Sequence, residues 1–120
     1  MLSLALILIE LTSQKPSELL KSPPMVNCSW YGEDFQGQPM ANGKRFDMNN
    51  PKMAAHKSLP FGTKVILRNP VNGRKIEVTI TDRGPYIHGR EFDLSAAAAD
   101  KLDFVDQGIA SLEVISITKP

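Results

Sequence analysis

The chain has one cysteine, Cys28, and two histidines, His56 and His88. A lone cysteine excludes an internal disulfide and any zinc site built on thiolate pairs, and the fold must rest on its apolar core. The two histidines are too far apart for a helical metal motif of the HExxH kind, so no metal and no cofactor are expected. Excess charge of one sign is also missing. Lysine and arginine total 14 against 13 acidic residues, a net charge of +1 that leaves no basic footprint for nucleic acid. Long hydrophobic runs are absent too: Leu2 to Ile9 is too short to cross a bilayer, so no integral membrane span is expected.

Nine prolines and eight glycines are present, most of them between Pro23 and Gly108. They cut the chain into runs too brief for a helical bundle and favour a turn-rich β domain. With 120 residues and 42% hydrophobic content, one compact domain is the prior. Residues 1–25 read as a leader or linker with a signal-like apolar stretch. No lysine or arginine precedes that stretch and Glu10 ends it early. Residues 26–120 form the domain proper. Met25-Val26-Asn27 lacks the small residues of a lipid-attachment site, so Cys28 is expected as a buried or half-exposed thiol.

Strand signals are clear in four places. Asn27 to Tyr31 is a first strand closed by Gly32. Lys64 to Arg68 and Lys75 to Ile80 are β-rich runs joined through Asn69-Pro70-Val71-Asn72-Gly73-Arg74, and the Asn-Gly pair predicts a hairpin. Ile76, Val78 and Ile80 alternate with Glu77 and Thr79, as in a strand with one buried face. Ala110 to Thr118 is a closing strand that buries Leu112, Val114 and one of Ile115 or Ile117. A short helix is expected over Ala96 to Leu102, after Asp93-Leu94-Ser95. Gly37 to Asn50 carries only turn chemistry.

Four segments occur in a fixed order: Ser29-Trp30-Tyr31-Gly32, Ala41-Asn42-Gly43, Ala54-Ala55-His56-Lys57-Ser58-Leu59-Pro60-Phe61-Gly62-Thr63 and Asp82-Arg83-Gly84-Pro85-Tyr86. With Gly89-Arg90 and Phe92-Asp93-Leu94-Ser95 after them, the chain resembles the rare lipoprotein A (RlpA-like) family from Asn27 to Ile117. The resemblance implies a mainly β fold, a six-stranded double-psi β-barrel with one or two short helices. It also implies a peptidoglycan lytic transglycosylase, exported to the periplasm or cell surface, with peptidoglycan glycan strands as partner. A monomer is expected. Carried over position by position, it makes Asp82 the catalytic general acid/base, with Asp47 and His56 as further active-site residues. Tyr31, Lys44, Arg83 and Arg90 are then the substrate-binding candidates.

Lys44 departs from the family pattern, in which active relatives have a glutamate there, and the interval from Asp47 to His56 is one residue longer than usual. A noncatalytic peptidoglycan-binding or wall-loosening module is therefore the alternative to an enzyme, and a secreted inhibitor using a barrel loop is a third reading. Each residue also has a bland role. Asp82 can cap the turn at Arg83-Gly84-Pro85, Asp47 can organise its loop, and His56 can be a core histidine holding a loop carbonyl. Arg83 and Arg90 can pair with Asp93 or Glu91. Trp30 and Tyr31 are strand neighbours, so at most one is expected to line a groove.

Overall fold

The computed structural model describes residues 23–120, so the leader assigned to residues 1–25 lies almost wholly outside the described residues. Six strands close into a barrel: β1 (Met25–Tyr31), β2 (Met53–His56), β3 (Lys64–Arg68), β4 (Lys75–Asp82), β5 (Phe92–Ser95) and β6 (Ile109–Thr118). Among the described residues one α-helix, α1 (Ala96–Leu102), follows β5 directly, and a 3-10 turn spans Glu33–Phe35 after β1. Around the barrel the order is β1-β5-β2-β4-β3-β6, with β6 paired back to β1. The β1/β5 and β2/β4 pairs are parallel and the other four are antiparallel. This is the six-stranded barrel that the resemblance implies, and closure leaves no free strand edge.

The period of two decides what points inward. Val65 and Leu67 on β3, Val78 and Ile80 on β4, and Leu112 and Val114 on β6 are all fully buried. They meet Phe92, Leu94 and the buried thiol of Cys28 in one core. Truncating one of these, Ile80→Ala for instance, would cost about 2–5 kcal/mol. The alternation in β6 does not run through. Leu67 faces Val114 but Ile66 faces Ser116, so Ile115 is an extra residue, and beyond it Ile117 packs on the core while Ile115 is exposed.

The β3–β4 hairpin forms as its Asn-Gly turn predicts, with Gly73 at φ +79°. The turn also serves the helix: Asn69 Nδ2 and Asn72 Nδ2 donate to the Leu102 carbonyl at 2.8 and 3.0 Å, satisfying one of its last acceptors. At the other end of α1, Ser95 Oγ accepts from the Ala98 amide (3.2 Å) and donates to the Asn50 carbonyl (2.7 Å). Ser95 is thus the N-cap, and Asp93 is left two residues back in a strand.

Candidate active site

Asp82 ends β4, and the approach to it is irregular. Ala54 of β2 lies opposite Ile80, but Ala55 lies opposite Asp82, so Thr81 is an extra residue in the ladder. Such a slip turns the side chain that follows it away from the regular pleat. The Asp82 carboxylate is half-buried and accepts three hydrogen bonds. Oδ1 takes the Ala41 and Arg83 amides, both at 2.9 Å, and Oδ2 takes the Tyr31 hydroxyl at 3.1 Å.

The Ala41 amide is presented by the loop after β1. Met40 and Phe46 are buried and pin it to the barrel end. Between them the Met40 amide donates to the Lys44 carbonyl (2.7 Å) and the Gly43 amide to the Met40 carbonyl (2.9 Å), with Gly43 at φ +89°. Tyr31 stacks on Phe46 with ring centroids 4.1 Å apart. Burial, reinforced by the Asp82 charge and the hydrogen bond to it, pushes the Tyr31 phenol well up, so it stays a donor.

Asp93 is the second carboxyl of the site. It sits on β5 directly beside Ser29 of β1, whose hydroxyl donates to Oδ1 at 3.1 Å. Burial pushes its pKa up to about 6; the Ser29 hydrogen bond and the Arg90 charge pull it down, and the Asp82 charge adds to the rise. A cleft of about 730 Å³ opens here, with Ser29, Tyr31, Glu33, Phe35, Arg90 and Asp93 among the residues that line it. Asp82 is not among its lining residues and meets it through the Tyr31 hydroxyl. Trp30 lines the cleft together with Tyr31, contrary to the expectation that strand neighbours would be separated. They stand at the end of β1, and Trp30 turns its indole N–H to the Val105 carbonyl (3.2 Å) beside the cleft.

The remaining candidates fall into three places. Arg90 lines the cleft and lies within 4 Å of no carboxylate among the described residues. His56 and Arg83 come together beneath the loop that follows β2. Arg83 Nη1 donates to the carbonyls of His56 (3.1 Å) and Leu59 (2.8 Å), and its guanidinium lies 4.0 Å over the Phe61 ring. His56 is buried, and its Nδ1 accepts the amides of Ser58 (3.1 Å) and Leu59 (3.0 Å), so it holds loop amides and not a loop carbonyl. An Nδ1 engaged as acceptor assigns the proton to Nε2, which lies 3.4 Å from Glu91 Oε2 without hydrogen-bonding alignment. Burial first, then the Lys57 and Arg83 charges, lowers the His56 pKa to about 4, so the ring is neutral and this contact is no ion pair at neutral pH.

Asp47 and Lys44 stand exposed on the loop. Asp47 Oδ1 accepts the Asn49 amide (3.0 Å), and the Lys44 ammonium has no carboxylate within 4 Å among the described residues. No cluster of three metal-ligating side chains occurs among the described residues.

Asp93 and Ser29 lie in the motif segments but were not singled out as site residues, Asp93 being weighed only as a helix-leading residue or an arginine partner. The available signal was an acidic residue between two large apolar ones, Phe92 and Leu94, as in a strand that buries its neighbours and turns the acid to the other face.

Against known proteins, residues 25–114 match the family model described as lytic transglycolase. Among curated relatives, the chain is 51% identical over 87 residues to a probable endolytic peptidoglycan transglycosylase RlpA of Treponema pallidum (strain Nichols), across 72% of this chain and 27% of that protein. The chain thus spans about a quarter of that relative's length. Among solved structures, a Streptomyces papain inhibitor aligns with a TM-score of 0.60 at 22% identity, over 80% of this chain and 96% of the other. A Clavibacter michiganensis expansin aligns with a TM-score of 0.61 at 16% identity, over 82% and 52%. These two likenesses concern the fold.

Proposed function

The chain belongs to the lytic transglycolase family that it matches over residues 25–114, and on that premise we propose that it is the glycan-cleaving domain of a peptidoglycan lytic transglycosylase. The observation that supports this best is a cleft carrying two half-buried carboxyl groups, one in its wall and one behind the Tyr31 hydroxyl. Lytic cleavage needs a carboxylic acid to protonate the glycosidic oxygen and a carboxylate to take the proton of the sugar's own 6-hydroxyl as it closes an anhydro ring. Hydrolysis would instead need a carboxylate to activate water or bond to the sugar.

Asp82 is the acid/base residue in this reading, and Tyr31 and Arg90 are its sugar contacts. His56 and Arg83 act through the shape of the loop over residues 57–61, and Asp47 and Lys44 shape the loop that delivers the Ala41 amide. Export to the periplasm or cell surface follows from the substrate. The alternative, a noncatalytic wall-binding module, is favoured by one feature: a cation with no carboxylate within 4 Å among the described residues, Lys44, where active relatives have a glutamate.

Mass analysis of products from purified wall strands separates these readings. Anhydro-sugar ends are expected from the full-length protein. Asp82→Asn is expected to lower their release at least about 100-fold while glycan binding persists, because the amide keeps the shape and two acceptor bonds but cannot shuttle the proton. Reducing ends would mean hydrolysis, and binding with no product would establish the noncatalytic module.

A further inference from the structure

We infer that two carboxyl groups divide the proton work of this cleft, with Asp93 giving the proton to the glycosidic oxygen and Asp82 taking the proton of the 6-hydroxyl. The inference rests on the transglycosylase reading above and adds a residue to it. It also makes Lys44 intelligible, because the second carboxyl is supplied from β5 and need not come from the loop.

The geometry begins on β1. Ser29 and Tyr31 are two residues apart on one strand and so point to the same face, with backbone positions about 7 Å apart. Each donates its hydroxyl to a different carboxylate, Ser29 to Asp93 and Tyr31 to Asp82. One strand therefore sets the spacing of the two acids, Asp93 in the cleft wall and Asp82 behind the Tyr31 hydroxyl. Their surroundings differ. Asp82 is ringed by three donors, two backbone amides and a phenol, which hold both of its oxygens in place as acceptors. Asp93 accepts one side-chain hydrogen bond and lines the cleft directly.

Few charges face Asp93. On β1 it meets Ser29, on β2 the uncharged Ala55, and in the segment before β5 Arg90; Asp82 acts on it from the end of β4. Burial and the Asp82 charge both favour its protonated form, and Arg90 opposes it, which leaves a donor that holds its proton into the weakly acidic range.

The step balances without a further reactant. The Asp93 proton goes to the glycosidic oxygen as the bond from that oxygen to C1 breaks. The 6-hydroxyl oxygen then bonds to C1, and its proton goes to Asp82. Asp82 loses that proton to solvent and Asp93 regains one from solvent.

Asp93→Asn in the full chain is expected to reduce release of anhydro ends at least about 100-fold with glycan binding unchanged. Arg90→Gln is expected to move the alkaline limb of the pH–rate profile upward by about half a unit, because removing a cation lets the donor keep its proton to higher pH. Cleavage by Asp93→Asn within about threefold of the unsubstituted protein, in the range of ordinary local perturbation and far below the loss of an acid catalyst, overturns the assignment. An alkaline limb that stays put or falls in Arg90→Gln does the same, and decides the matter alone if Asp93→Asn fails to fold. If the unsubstituted protein releases no anhydro ends, the transglycosylase reading falls and takes this one with it; if it does and Asp93→Asn matches it, only the present inference falls.

Discussion

At the scale of single residues, Asp82 is held by what surrounds it more than by what its neighbours are. Two of its three donors are backbone amides, those of Ala41 and Arg83, and no side-chain substitution removes them directly. The charge at Lys44 sits on an exposed side chain with no carboxylate within 4 Å among the described residues. Solvent and salt screen such a charge within about 8 Å at physiological ionic strength. Lys44→Glu is therefore expected to change the cleavage rate by less than about threefold at that ionic strength. A rise of tenfold or more, with the pH optimum moving upward, would show instead that a glutamate here acts on Asp82. Asp82, Tyr31 and Arg90 were legible as site candidates because they fall in the motif segments. Asp93 lies in such a segment too but was not singled out, because a short motif shows which residues are present, whereas Asp93 matters through its register against Ser29 on another strand and through its burial.

Among the elements, the strands read directly from the sequence are those with one wet face. β1, β3, β4 and β6 show alternation or β-branched runs, and the hairpin between β3 and β4 carries its Asn-Gly turn. β2 and β5 have four residues each, and β2 is Met53-Ala54-Ala55-His56, with weak β propensity and three buried positions, so no period could form. Neither was placed from the sequence; the family resemblance implied only that the barrel has six strands. The ladder slips at Ile115 and Thr81 were invisible for a related reason, since a slip depends on the partner strand. The loop after β2 is an element of another kind, braced from inside by the Arg83 guanidinium and the His56 ring. Arg83→Gln removes a cation from the Phe61 face and leaves two carbonyls to compete for one shorter amide. The amides of Ser58 and Leu59 are then expected to exchange about tenfold faster, a loss of about 1.4 kcal/mol of local protection. Unchanged exchange at both amides would mean that His56 alone carries the loop.

Over the whole molecule, the buried His56 and the half-buried Asp93 make stability depend on pH in opposite directions. His56 titrates at about 4 when folded against an ordinary 6.5, so the unfolded chain binds more protons between those values and stability rises with pH across that window. Asp93 titrates at about 6 against an ordinary 3.8, so the folded chain binds more protons and stability falls as pH rises through nearly the same range. Each group alone has a limiting slope of about 1.4 kcal/mol per pH unit. From these two groups, the melting temperature is expected to be nearly flat between pH 4 and 6. Asp93→Asn removes the falling contribution and keeps the acceptor for Ser29. The variant should melt progressively higher as pH rises from 4 to 6.5, and at pH 7 it should exceed the unsubstituted protein by about 1–3 kcal/mol, because a desolvated charge is gone. Calorimetric melts of both proteins at half-unit pH steps test this. Parallel curves would show that Asp93 ionises in the fold as it does in the open chain, and with that its poise as a proton donor would be lost.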